Sequence, residues 1–247
     1  MAVVTTVPLP SGVGVALVTL FDERGATDAG ATAERAARCV ELGVSSVLVA
    51  GTTGEAGRLS VDDRLQLAAA VRDAVPDVPV IVGAGHPDAA AAFDATARIA
   101  TDAHADAVLV YCPKGAEPKG FFRQVRDAAG AMAVLAYHNP ALEHAEPLGT
   151  AELASLGLEG VKDSSGSTNR LADLVELGVL VYVGSPTQLL LAGSCGARGA
   201  LLALANIAPT DCIGAWNGDP SAQRRLFSLH RSAARDFPAW LKRTEPR

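Results

Sequence analysis

Lys162 ends a short apolar run, residues 158–162, that Ser164-Ser165-Gly166 then breaks. Strand side chains alternate between faces, so Leu158, Gly160 and Lys162 share one face and Val161 and Asp163 the other. The chain has four lysines against seventeen arginines. Lys114 and Lys119 sit in a Pro/Gly-rich loop and Lys242 in a polar tail, so Lys162 alone is embedded in an apolar strand. A free lysine, with a pKa of ~10.4, is only about 0.04% neutral amine at pH 7. Burial and neighbours can bring it down to about 7–8, a gain of several hundred-fold in nucleophile. The chemistry such an amine performs is imine formation with a carbonyl substrate. The alternative is a lysine whose stem lies on apolar surface while its ammonium snorkels to a rim or pairs with a carboxylate.

What must position this lysine is a repeating rhythm of strand and helix. Short apolar strands are expected at 13–20, 46–50, 78–82, 107–111, 132–137, 158–162, 180–183 and 199–204. Helices are expected between them. One is capped by Asp28 and runs to about Leu42, and another is capped by Ser60 with Asp62 and Asp63 in its first turn. Others cover 87–101 and 117–129, follow a Thr150 cap, and span 167–177, 186–191 and 209–217. Eight such units with uniformly apolar strands predict a parallel sheet closed into a (β/α)₈ TIM barrel over residues 1–217. A short helical tail covers 218–247, with Phe237, Pro238 and Trp240 as docking residues. An open doubly wound sheet is disfavoured, because no GxGxxG turn follows the first strand. In a barrel, chemistry belongs at the C-terminal strand ends. There the sequence places Thr52 and Thr53, Tyr137, Lys162, Ser185 and Asn206.

Composition narrows the partners. The net charge of −6 and pI near 5.4 come with no basic stripe, which argues against nucleic acid or an anionic membrane. Cys39, Cys112, Cys195 and Cys212 lie far apart and read as thiols of a reducing cytoplasm rather than a disulfide or zinc framework. The apolar run at 13–20 is too short to span a bilayer, and no basic region precedes it.

Four segments carry a family resemblance: residues 14–25 (GVALVTLFDERG), 51–55 (GTTGE), 137–142 (YHNPAL) and 160–163 (GVKD). In order and spacing they resemble the dihydrodipicolinate synthase/N-acetylneuraminate lyase family of class I, pyruvate-handling aldolases. The resemblance implies that Lys162 forms an imine with pyruvate or another 2-oxo acid, whose enamine then joins or leaves an aldehyde. It implies that Tyr137 relays protons and that Gly51, Thr52 and Thr53 hold the 2-oxo acid carboxylate. Thr52 would also act in the catalytic relay, and Leu142, Ser185 and Leu202 would line the substrate site. No metal or cofactor is implied, and a homo-oligomer, dimer or tetramer, is. Among the chain's departures from the synthases, two fall at the expected second-substrate site. Residues 110–114 (VYCPK) stand where they carry a tyrosine pair, and Leu142 stands where they carry an arginine for the second carboxylate. These departures favour the lyase branch over the condensation of pyruvate with aspartate semialdehyde; the other alternative is a non-catalytic homologue that binds a 2-oxo acid.

Overall fold

The computed structural model describes residues 9–233, 237–244 and 246. Eight parallel strands form one closed barrel: β1 (Gly12–Ala16), β2 (Ser46–Val49), β3 (Val80–Gly83), β4 (Ala107–Val110), β5 (Ala133–His138), β6 (Gly160–Asp163), β7 (Val181–Val183) and β8 (Gly199–Leu202). Each pairs with its neighbours in sequence, and β8 returns to β1 with Leu201 opposite Gly14. The connecting helices are α1 (Ala29–Glu41), α2 (Val61–Ala74), α3 (Ala89–Asp102), α4 (Pro118–Ala129), α5 (Thr150–Ser155), α6 (Thr168–Glu176), α7 (Leu189–Ser194) and α8 (Pro209–Trp216). Two more follow: α9 (Pro220–Ala233), packed on α8, and α10 (Ala239–Arg243). The fold is therefore the (β/α)₈ barrel that the strand–helix rhythm predicts.

Strand alternation divides the core into two parts. Ala16, Leu48, Ile81, Leu109, Leu135, Tyr182 and Leu201 fill the lumen. Val15, Val47, Val49, Val82, Val108, Val134, Val161 and Leu202 instead face the helical shell. Strands buried on both faces need continuous apolar runs, which is why no strand here shows a polar face. Helix starts follow the local chemistry. Asp28 accepts from the Ala31 amide, Asp88 from Ala91, and Ser60 and Asp63 form a reciprocal capping box.

Several expected boundaries shift. The first strand ends at Ala16 rather than residue 20, and β8 ends at Leu202 rather than 204. Asn206 explains both. It sits fully buried in a 3₁₀ turn, Ala203–Asn206. Its Nδ2 donates to the carbonyls of Ala16 (2.7 Å) and Ala203 (2.8 Å), and its Oδ1 accepts from the Val18 amide (3.0 Å). Those backbone groups are thereby satisfied outside the ladder, and the strands stop. The cap of α5 is Gly149, with Thr150 already inside the helix. The stretch after Ser185 winds first as a 3₁₀ turn, Pro186–Gln188, and only then as α7. In the tail, Leu241 is the fully buried docking residue, while Phe237 is 45% exposed.

Asn206→Leu removes the partner of the buried Val18 amide and Ala16 carbonyl, each costing about 1–3 kcal/mol, and of the half-buried Ala203 carbonyl, which water can satisfy. The expected loss is about 2–4 kcal/mol of unfolding free energy, read as a lower urea midpoint at unchanged m-value.

Candidate active site

Tyr137 and Lys162 lie directly opposite each other across the β5–β6 pairing. Both side chains share the lumen face and are buried, at 7% and 4% exposure. The Lys162 ammonium nitrogen is 4.8 Å from the centroid of the Tyr137 ring. Burial lowers the lysine pKa, because a charged amine loses its hydration there. Tyr137 opposes that shift, and no carboxylate of the described residues contributes to it. For Tyr137, burial alone would raise the phenol. The Lys162 charge, followed by hydrogen bonds from the side chains of Thr52, Asn139 and Ser164, outweighs burial and brings the phenol below its ordinary range. Asn139 Nδ2 donates to the phenol oxygen at 3.0 Å. Burial thus favours the neutral amine, while the charge on the amine, when present, draws the phenol towards its anion.

Asp163, the next residue along β6, points to the outer face and anchors the strand from there. Its carboxylate accepts from the Ser165 amide (3.0 Å) and Arg170 Nε (2.5 Å). His138, the residue after Tyr137, is buried on the same outer side, where its Nδ1 accepts from the Leu148 amide at 3.4 Å. Burial and then the Arg170 charge hold its pKa below the usual imidazole range, against the pull of Asp163. His144 stacks edge-on against Tyr111 instead, at 5.0 Å between centroids, so the two histidines do not form a common site.

The loop after β2 is the second part of the site. It is entered and left through left-handed residues that are not glycine, Ala50 (φ 53°) and Glu55 (φ 57°). Such backbone costs on the order of 1–2 kcal/mol per residue and persists only when its surroundings impose it. Gly83 supplies part of that imposition: a Cβ there would lie 2.2 Å from the Ala50 carbonyl oxygen. Thr19 Oγ1 donates to the Gly54 carbonyl at 2.7 Å, tying the loop to the segment that follows β1. Arg64 on α2, nearly fully buried, donates to the carbonyls of Gly83 (2.9 Å) and Ala56 (3.0 Å). Held in this way, the loop buries Gly51 and Thr53 and leaves Thr52 exposed.

The residues expected at the site do not all gather there. Thr52, Tyr137 and Lys162 do, with Thr53 and Gly51 in the same loop. Leu142 packs with Tyr111 against the lumen cluster. Both help line a cleft of about 450 Å³, with Thr52, Arg58, Arg64 and His144 among its other walls. Leu202, expected to line the substrate site, is fully buried in the shell between strands and helices; its neighbour Leu201 has the lumen face. The phase of alternation along β8 decides this, and it puts Leu202 on the wrong side. Ser185 Oγ is engaged with Thr187 Oγ1 (2.8 Å) as the cap of the 3₁₀ turn. Ser164 and Asn139 complete the tyrosine's surroundings and were not expected. Extending the alternation of Gly160 and Lys162 by one step reaches Ser164. Gly184 makes room for it, since a Cβ there would lie 1.9 Å from Ser164 Oγ.

Comparison with known proteins agrees with this geometry. The model of the dihydrodipicolinate synthetase family matches residues 9–218. The 4-hydroxy-tetrahydrodipicolinate synthase of Corynebacterium aurimucosum is 36% identical over 208 residues, 80% of this chain and 68% of that protein. Among solved structures, a prophage protein of the dihydrodipicolinic acid synthase family from E. coli K12, in complex with pyruvate, superposes with a TM-score of 0.83 at 23% identity. That match covers 92% of this chain and 84% of the other. The N-acetylneuraminate lyase of Fusobacterium nucleatum superposes at 0.81 with 18% identity, over 92% of this chain and 84% of the lyase. At these identities the two structures speak for the fold alone.

Proposed function

Because the chain belongs to the dihydrodipicolinate synthetase family, of class I aldolases and lyases, we propose that Lys162 forms an imine with pyruvate or a related 2-oxo acid. Through it the enzyme makes or breaks a carbon–carbon bond. The observation that carries this reading is the buried pair: an amine with a lowered pKa, opposite a tyrosine whose phenol is drawn towards its anion.

In the sequence of steps this implies, the neutral Lys162 amine attacks the ketone carbon. The resulting hydroxyl takes a proton from Tyr137 and leaves as water. The Tyr137 phenolate left by that step takes a proton from the adjacent carbon, and the protonated imine accepts the electron pair released, which gives the enamine. The enamine carbon attacks an aldehyde, and Tyr137 returns a proton to the new alkoxide. Hydrolysis frees Lys162, and the reverse order describes cleavage. The loop at Gly51, Thr52 and Thr53 receives the 2-oxo acid carboxylate through its amides and hydroxyls, as turns of successive N–H groups do for anions.

Leu142 gives the cleft an apolar wall where a second carboxylate would need a cation, which supports an aldehyde without a carboxylate at that place. The reading in which aspartate semialdehyde is the partner draws on the 36% identity to a 4-hydroxy-tetrahydrodipicolinate synthase. A homo-oligomer and a cytoplasmic setting belong to the same proposal.

Incubation with pyruvate followed by borohydride is expected to leave a reduced adduct on the peptide that contains Lys162, located by mass spectrometry. No adduct with pyruvate or a panel of 2-oxo acids would overturn the reading. Turnover of the trapped 2-oxo acid with aspartate semialdehyde against neutral sugar aldehydes then separates the two partners.

A further inference from the structure

Glu55 closes the carboxylate-receiving loop, and its side chain reaches beyond the loop. Its carboxylate pairs with Arg58 at 2.8 Å and with Lys242 of α10. The Lys242–Glu55 contact joins residues 187 positions apart, with both side chains only 20% exposed. The two cations also enclose an aromatic ring. The Arg58 guanidinium lies 4.0 Å and the Lys242 ammonium 4.5 Å from the centroid of Phe21. Phe21 is two residues beyond Thr19, which holds the Gly54 carbonyl. The Lys242–Glu55 pair, mostly buried, resists solvent screening better than an exposed one, whereas the Arg58 side chain is about half exposed at 53%.

The other side of α10 is fixed independently. Arg35 on α1, 6% exposed, donates to the carbonyls of Leu241 (2.9 Å), Thr244 (3.0 Å) and Lys242 (3.2 Å). Leu241 is fully buried beside this anchor. Arg35 therefore collects carbonyls at the end of α10 that no further helical turn would satisfy. The helix is seated on α1, and from that seat the Lys242 side chain crosses to the loop.

We infer that Lys242 is a positioning residue: it holds Glu55 in its left-handed turn from outside, and through that turn sets the place of Thr52 and Thr53. Thr19 and Arg64 hold the loop from within, but neither reaches the Glu55 carboxylate. Removing Lys242 leaves Glu55 paired only to Arg58, a residue of the same short segment that moves with it. The loop then relaxes towards conformations that left-handed Glu55 otherwise forbids. The effect on 2-oxo acid binding rests on the imine reading above; the effect on the loop does not.

Lys242→Met keeps an apolar stem on Phe21 and removes the charge. Amide hydrogen exchange at residues 51–59 is expected to quicken at least tenfold in this variant, with the strands unchanged. The pyruvate concentration that half-saturates borohydride trapping at Lys162 is expected to rise about five- to tenfold, at an unchanged plateau. Glu55→Gln should reproduce both effects from the loop side, and Lys242→Arg should restore both. Unchanged exchange at 51–59 in Lys242→Met and Glu55→Gln would overturn the inference, as would an unchanged half-saturation with a trappable enzyme. If the unmodified protein traps no 2-oxo acid, the functional reading fails while the exchange measurement still decides the role of Lys242.

Discussion

Lys162→Met abolishes trapping with every 2-oxo acid and lowers turnover on the order of 10⁴-fold or more, because no other group can form the imine. The same substitution is expected to raise the unfolding free energy at neutral pH. A buried amine with no carboxylate partner is replaced by an apolar chain of similar length, an exchange worth roughly 1–4 kcal/mol in other buried ionic sites. The sign follows from proton binding. The folded-state pKa of Lys162 lies below its unfolded value of ~10.4, so between the two the unfolded chain binds more protons than the folded one. Wild-type stability from this group therefore rises with pH across that window, and the advantage of methionine narrows as pH approaches ~10.4. Thermal or urea unfolding of both proteins between pH 7 and 10 checks it. A destabilised Lys162→Met at pH 7 would show that the site favours the charged amine, contrary to its burial.

Tyr137→Phe separates capture from turnover. The ring and its packing stay, so the plateau of borohydride trapping is expected to be kept. Turnover falls about 10²–10⁴-fold, the usual contribution of a positioned proton donor and acceptor. The pH profile of trapping moves as well. Tyr137 raises the Lys162 pKa in the wild type, so its removal shifts the inflection for adduct formation to lower pH. A loss of turnover below tenfold would remove Tyr137 from the relay, and an inflection that moved to higher pH would contradict the coupling between the two groups.

Much of this arrangement is legible in the residues themselves. The apolar strands, their alternation and the capping residues Asp28 and Ser60 predict a closed barrel and set Lys162 and Tyr137 on one rim. What is not legible depends on contacts far apart in sequence. Asn206 reads as one more polar residue at a strand end, yet it is buried and shortens two strands by satisfying their backbone from outside the ladder. Leu202 falls on the wrong face because a one-residue error in phase inverts every side chain of a strand. Lys242 reads as a charge in a polar tail, because nothing nearby in sequence announces Glu55 and Phe21. Ser164 escapes notice because serines after a strand are common, and only the space left by Gly184 shows that it turns inward.

The Asn206 cross-link also governs when the barrel can exist. It joins β1 to the turn after β8, across 188 and 190 residues of chain. On a ribosome adding about 5–20 residues per second, β1 emerges roughly 10–40 s before its closing partner. During that interval one edge of β1 is an unpaired template, open to any strand that arrives first. The nascent chain is thus an open sheet until β8 and Asn206 have emerged. Substitutions at Asn206 or in β8 should therefore register in yield and aggregation during expression before they register in the stability of whatever folds.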